Sequence, residues 1–249
     1  MTRTIDINCD LGEGLANDAA LMPYISSCSI ACGGHAGTIE TMRATVALAK
    51  QHNVKIGAHP SFPDRANFGR VKMDIAPKVL LSSIVEQIQT LKRVCDEENV
   101  QLNYVKPHGA LYNLSVTDAT IAQCIISAVQ EASGPFRVFT PYNSQLVKVA
   151  PPNFEFVFEA FIDRRYADDL TLMSRTHPKA VIENPQDAWQ QLHEMLTTRK
   201  VLTLSGKKKP IRAETFCLHG DHKNAEVIAQ YVHQKLKEQS IKVGRYETS

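Results

Sequence analysis

The chain has 249 residues, 43% hydrophobic and 22% charged, which is enough apolar material for a substantial soluble core. A formal net charge of +2 is too small to point to nucleic acid or an anionic membrane surface, and no apolar run approaches the ~20 residues that span a bilayer. No N-terminal segment joins a basic start to a long apolar stretch and a small-residue cleavage site, so a cytoplasmic chain is expected.

Taken in order, residues 4–8 (TIDIN) alternate like a strand and enter an acidic, glycine-punctuated loop, Cys9 to Gly14. A short helix is expected over 18–24 and a brief strand over 29–31, which leaves through Cys32-Gly33-Gly34-His35. Thr38 is a good N-cap for a helix running to about residue 53. The next strand, 54–59, is stopped by Pro60 just as His59 emerges, because proline has no amide proton for a ladder. Pro77 opens a long amphipathic helix to about residue 98. A strand over 102–105 opens into KPHGALYN, and a helix over 117–131 is expected to be capped by Thr117. Strand 137–139, helix 144–149 and the apolar strand 154–161 follow. The polar stretch 167–184, containing Arg175, reads as a lid-like insertion before a helix over 185–199. Residues 201–204 and 211–212 look like a hairpin across SGKKKP, whose lysines read as a solvated turn. A last strand over 214–218 precedes a closing helix over 224–239.

Strand followed by helix recurs about seven times without a linker-like segment, which predicts parallel strands with helical crossovers in one domain over 1–249. Such a sheet is expected to close into a (β/α) barrel, with an open doubly wound sheet as the alternative. In a barrel the chemistry lies at the C-terminal strand ends. The residues there are Asn8, Asp10 and Glu13; His35; His59, Asp64 and Arg70; Lys106, His108, Tyr112 and Asn113; Glu159, Asp163 and Arg164; and His219 and Asp221. His52, His177, His193, His222 and His233 fall instead in helices or polar loops. Any one strand-end histidine is an ordinary structural residue. Four converging on one crevice with several carboxylates are costly unless they serve each other or a ligand.

The glycines beside His35 and His108 would let backbone amides approach that ligand. Neither GxxxxGK nor GxGxxG follows a strand, so no nucleotide-binding loop of known type is present. No HExxH or His-x-His pair occurs, and a divalent metal is supported by composition alone. The six cysteines (Cys9, Cys28, Cys32, Cys95, Cys124, Cys217) form no CxxC pair and are expected to be free and mostly buried. Cys9, Cys32 and Cys217 near strand ends stand as candidates for a reactive thiol.

Five segments in register, NCDLGEG (8–14), SCSIACGGHAG (27–37), GAHPSFPDRANFGR (57–70), VKPHGALYN (105–113) and CLHGD (217–221), resemble the LamB/YcsF family. The sequence departs from that pattern at Leu15-Ala16, at Ile162 and at Asp169-Leu170, where the pattern has Asp-Gly. The resemblance implies a distorted seven-stranded TIM-like barrel of the glycoside-hydrolase/deacetylase type. It also implies the A component of a multi-subunit, ATP-dependent 5-oxoprolinase, which opens 5-oxo-L-proline (pyroglutamate) to L-glutamate with B and C subunits and with ATP as co-substrate. For such a reaction the expected catalytic groups are Asp10, Glu13, His35, His59, Lys106, His108, His219 and Asp221, with Gly33 and Gly34 amides helping to hold charge on oxygen. Asn8, Arg70, Tyr112, Asn113, Glu159, Asp163 and Arg164 are the expected substrate contacts. Other readings are a metal-dependent amidohydrolase or carbohydrate deacetylase, and a lactam-binding protein without turnover.

Overall fold

The structure, a computed structural model, describes residues 3–132, 134 and 136–244. Its elements run β1 (Thr4–Leu11), α1 (Asp18–Leu21), β2 (Ser27–Ala31), α2 (Ile39–Gln51), β3 (Lys55–His59), α3 (Pro77–Glu97), β4 (Leu102–Val105), α4 (Gly109–Thr117) and α5 (Ala119–Glu131). Then come β5 (Arg137–Thr140), α6 (Gln145–Val149), β6 (Phe156–Phe161), α7 (Pro185–Thr198), β7 (Lys200–Leu202), β8 (Lys208–Pro210), β9 (Thr215–His219), α8 (Ala225–Glu238) and β10 (Lys242–Val243).

Seven parallel strands pair in the order β1-β2-β3-β4-β5-β6-β9, and β9 returns to β1, so the sheet closes and the open alternative falls. The two-residue β10 pairs with the start of β1 outside this ring, and β7–β8 form a separate antiparallel hairpin. That hairpin lies a few residues from its expected place and takes Lys208 and Lys209 into its second strand rather than its turn.

The period of β1 explains the layering. Ile5, Ile7, Cys9 and Leu11 belong to the main apolar core, while Asp6, Asn8 and Asp10 alternate with them into the barrel lumen. Lumen partners follow from register: Asp6 lies beside Thr215, Asn8 beside Cys217 and Asp10 beside His219. Low in the lumen, Tyr104, Phe139 and Val157 form their own buried apolar cluster, with the two rings stacked 3.8 Å apart. Gly57 makes room for this plug, since a Cβ there would lie 2.1 Å from the Tyr104 ring. Gly57→Ala should therefore lower stability by about 1–3 kcal/mol through overpacking, read by urea unfolding. A loss under ~0.5 kcal/mol would mean that the ring moves aside freely.

Two expectations need correction. A helix that the sequence pattern does not predict, α4, follows His108 directly, and the cap of α5 is Asp118, whose carboxylate accepts from the amides of Thr120 and Ile121, rather than Thr117. The segment 167–184 is a pinned strap rather than a loose lid. Arg165 N–H donates to Ala180 O, Met173 N–H donates to Arg165 O, and Ala180 and Ile182 are buried. Leu170, in place of the family pattern's glycine, takes a left-handed φ of +68° in the tight turn of this strap.

Candidate functional site at the strand ends

Lys106, one residue past β4, is buried at the centre of the site. Its ammonium lies 2.9 Å from Asp10 Oδ1, 2.9 Å from Glu159 Oε1, 3.0 Å from Asn8 Oδ1 and 3.1 Å from Cys217 Sγ. Burial works against that charge, but Asp10 foremost, with Cys217 and Glu159, keeps the Lys106 pKa well above its ordinary value. Asp10 behaves in the same way: burial would raise it, yet His59 and Lys106 hold it well below the usual carboxylate range. Asn8 donates to Glu159 Oε1 (2.9 Å) and Thr215 Oγ1 (2.8 Å), and Tyr112 donates to Glu159 Oε2 (2.7 Å). Asn8, Glu159 and Tyr112 thus form a frame that fixes Lys106 from behind.

On one side of Lys106 are three imidazoles. His59 Nδ1 is 2.6 Å from Lys106 O and His108 Nε2 is 3.0 Å from Phe68 O. His59 Nε2 and His108 Nδ1 face each other at 2.9 Å, with Asp10 Oδ2 3.3 Å from the former. His35 stacks on His108 at 3.6 Å and meets Glu13 Oε1 at 3.2 Å. Burial, reinforced by Asp10 and Asp221, raises the Glu13 pKa well above its ordinary value. Local backbone sets these positions. Gly109 has φ +55°, and a Cβ there would come within 2.6 Å of Gly69 O, so the chain turns sharply into α4 just after His108.

On the other side, His219 donates through Nδ1 to Asp163 Oδ1 (2.9 Å), while its amide donates to Asp163 Oδ2 (2.9 Å). His222 Nε2 lies 3.4 Å from the same carboxylate. Burial would raise Asp163, but the His219 charge and hydrogen bonds, then those of His222, hold it far below the usual range. Asp221 is clamped by Arg70 and by Arg175, whose Nη1 is 3.0 Å from Asp221 Oδ2. Arg164 is buried, donates to Met173 O (2.6 Å), and its Nε has no partner among the described residues. Burial, and then Arg175, bring the Arg164 pKa down to about 10, so it keeps its charge at neutral pH.

A cavity of about 580 Å³ has Asp10, His59, Lys106, His108, Arg164 and His219 in its wall, together with Arg175 of the strap. Tyr112, Asn113 and Arg70 reach the same wall. Asn8 and Asp163 stand behind it: the first orients Lys106 and Glu159, the second His219. Asp64 accepts from Asn67 within its own loop. The Gly33 amide donates to Ala36 O (2.8 Å), so it has no proton left for a ligand. Burial pushes the Cys9 and Cys217 thiols well up and Cys32 up to about 12, which works against a thiolate at any of the three. His222 joins the site although the sequence reading leaves it in a polar loop. The spacing His219-Gly-Asp-His222, two imidazoles three residues apart at a strand exit, was the signal.

Fold and site together define a TIM-like barrel with a cluster of buried ionisable side chains at its strand ends. The chain belongs to the LamB/YcsF family, whose model matches residues 5–249. It is 38% identical over 242 residues to a protein of Haemophilus influenzae (strain PittEE) named as the A component of 5-oxoprolinase, covering 97% of this chain and 99% of that one. The lactam utilization protein of Thermus thermophilus superposes with a TM-score of 0.89 at 32% identity, over 97% of this chain and 99% of that chain. A family 4 carbohydrate esterase from Streptomyces lividans shares the fold alone, with a TM-score of 0.51 at 8% identity, over 98% of this chain and 93% of that chain. No helix among the described residues is long and apolar enough to cross a membrane.

Proposed function

We propose that this chain binds 5-oxo-L-proline in the strand-end cavity and opens it to L-glutamate, in a reaction coupled to ATP hydrolysis and carried out with partner B and C subunits. The observation that carries this reading is His219, held by Asp163 from behind, sharing one cavity wall with Lys106 and Arg164. The names of the relatives, which cover nearly the whole chain, support the choice of lactam.

A five-membered lactam resists water because its carbonyl is amide-stabilised. Transfer of the ATP γ-phosphoryl group to the lactam oxygen would activate the ring carbon. One water then adds at that carbon and the ring C–N bond breaks, giving an acyl phosphate; a second water releases phosphate and L-glutamate. Because Asp163 accepts the Nδ1 proton of His219, Nε2 is the nitrogen left to take a proton from water. Arg164 suits the substrate carboxylate, since its guanidinium carries a charge that no carboxylate hydrogen-bonds among the described residues. Lys106, charged and prepositioned, suits the developing oxyanion.

The test is ATP-dependent glutamate release, assayed with this chain alone and then with the B and C subunits. His219→Asn and Asp10→Asn should each cut turnover by at least ~100-fold with an unchanged circular dichroism spectrum. Hydrolysis without ATP would favour an amidohydrolase. Lactam binding with no effect on turnover would favour a purely binding role.

A further inference from the structure

We infer that His59 and His108 share one proton between His59 Nε2 and His108 Nδ1, and that this singly charged pair is the acid that protonates the ring nitrogen when the C–N bond of a lactam breaks. The charge follows from hydrogen-bond geometry; the role rests on the lactam reading proposed above. A carbonyl oxygen only accepts, so His59 Nδ1, 2.6 Å from Lys106 O, carries a proton. The same holds for His108 Nε2, 3.0 Å from Phe68 O. Two neutral imidazoles have no proton beyond these, and two bare nitrogens would then face each other at 2.9 Å. That separation belongs to an N–H···N hydrogen bond. A third ring proton therefore lies between the rings, and the pair carries one positive charge.

The surroundings hold one such charge and oppose a second. From β1, Asp10 Oδ2 lies 3.3 Å from His59 Nε2, and just past that strand Glu13 Oε1 lies 3.6 Å from His108 Nδ1. Lys106, past β4, sits 2.9 Å from the other Asp10 oxygen, so Asp10 is the counter-ion of both cations. His219, at the end of β9, adds positive charge facing Asp10. His35, past β2, stacks flat on His108 at 3.6 Å. Burial first, then His59, with Arg70 and Arg65 in the same direction, brings the His35 pKa down to about 2, so that ring is neutral. Burial, then His35 and His59, holds His108 well below its ordinary value, which keeps out a further proton.

Ring opening needs an acid at this place. When the C–N bond breaks, its electron pair passes to nitrogen, and a nitrogen anion is too basic to leave unless it gains a proton in the same step. His219, on the other side of Lys106, takes its proton from water and cannot also be the donor. His59 and His108 border the same cavity as His219, so acid and base flank one bound ring. The shared proton moves to nitrogen, where the C–N electron pair becomes an N–H bond. The hydroxyl added from water loses its proton as the acyl carbonyl forms, and an equivalent proton from solvent recharges the pair. Both carbonyl hydrogen bonds persist throughout, so the rings need not turn. Asp10 acts through the pair as a positioning residue.

The charge is tested without substrate, by NMR of full-length protein carrying ¹⁵N-labelled histidine rings. At pH 7 the expected result is a His59 ring protonated at both nitrogens and a scalar coupling between His59 Nε2 and His108 Nδ1 across their hydrogen bond. Asp10→Asn should lower the pH midpoint of the pair by about 1–3. His219→Asn should leave the coupling in place. Two neutral rings without coupling in the parent would overturn the shared proton, whatever the folding of any variant. The role is tested by kcat/KM for 5-oxoproline against pH, with ATP and the B and C subunits present. An alkaline fall should have the midpoint seen by NMR and move with it in Asp10→Asn, and His108→Gln, checked for folding by circular dichroism, should lose at least ~100-fold in kcat. An alkaline fall elsewhere, or parent-like kcat in His108→Gln, would overturn the acid role. A parent that opens no lactam with both subunits would overturn the lactam reading and the acid role together, while the coupling would still establish the shared proton.

Discussion

Lys106→Met is expected to abolish measurable 5-oxoproline turnover, by at least ~1,000-fold, and to cost about 3–5 kcal/mol of stability. The two effects have one origin. In the parent, a single ammonium neutralises Asp10 and Glu159 and is itself held by Asn8, all of them buried. Methionine keeps the length and apolar bulk of the stem but removes the charge, so two carboxylates lose their shared counter-ion. Breaking a buried ion pair from one side is far costlier than the pair's net contribution, because an uncompensated charge remains. Asp10 then loses one of the groups that hold its pKa down, while the burial that raises it stays. The depressed Asp10 of the parent contributes stability above its unfolded value, near 3.8, and that contribution is lost as pH falls through the folded one. The deficit of the variant, whose Asp10 is less depressed, should therefore be larger at pH 7.5 than near pH 3. Guanidinium unfolding at both values, with glutamate release assayed well below the variant's midpoint, separates catalysis from folding. Turnover within a few-fold of the parent would remove Lys106 from the mechanism.

Asp163→Asn is the second large effect. The parent carboxylate accepts from the His219 ring and amide and stands beside His222, with no exposure to water. Its folded pKa lies below its unfolded value. A depressed carboxyl contributes stability above the unfolded value, near 3.8, and that contribution is lost as pH falls through the folded one. Asn cannot carry the charge, and one of its two terminal atoms becomes a donor facing the N–H groups of His219. A loss of about 3–5 kcal/mol is expected across pH 5–7, shrinking below about pH 4. Activity should fall as well, because His219 loses the partner that fixes its tautomer, and the fall should appear in kcat rather than KM. A deficit that grows on acidification would contradict the assignment of charge.

The barrel and its site were legible in the chain to different degrees. Alternation along TIDIN marks the strand, which runs on through Cys9 to Leu11 where a loop is expected, and the lumen face it leaves to Asp6, Asn8 and Asp10 is the same alternation seen from inside. Strand exits at His59 and His219 fall within a residue of their expected ends because proline and glycine follow them. α4 escaped notice because it opens on Gly109 in a left-handed conformation, has no side-chain cap, and buries Ala110, Leu111, Tyr112 and Ser115. Without a cap, and with only Asn113 and Thr117 exposed, there is little periodicity to read. Thr117 looked like a cap because threonine caps well, yet it closes α4 and leaves the role to Asp118.

By itself, then, the order of residues determined which side chains leave the strands at one end of a parallel sheet, since period-two alternation and proline or glycine stops are local. Closure of β9 onto β1, the bonding of His59 and His108 to Lys106 O and Phe68 O, and the meeting of Asp221 with Arg70 and Arg175 were decided only in three dimensions. The Arg70–Asp221 contact alone joins residues 151 positions apart in the chain. Whether a buried nitrogen donates or accepts is set by the atom packed against it, which no local pattern encodes.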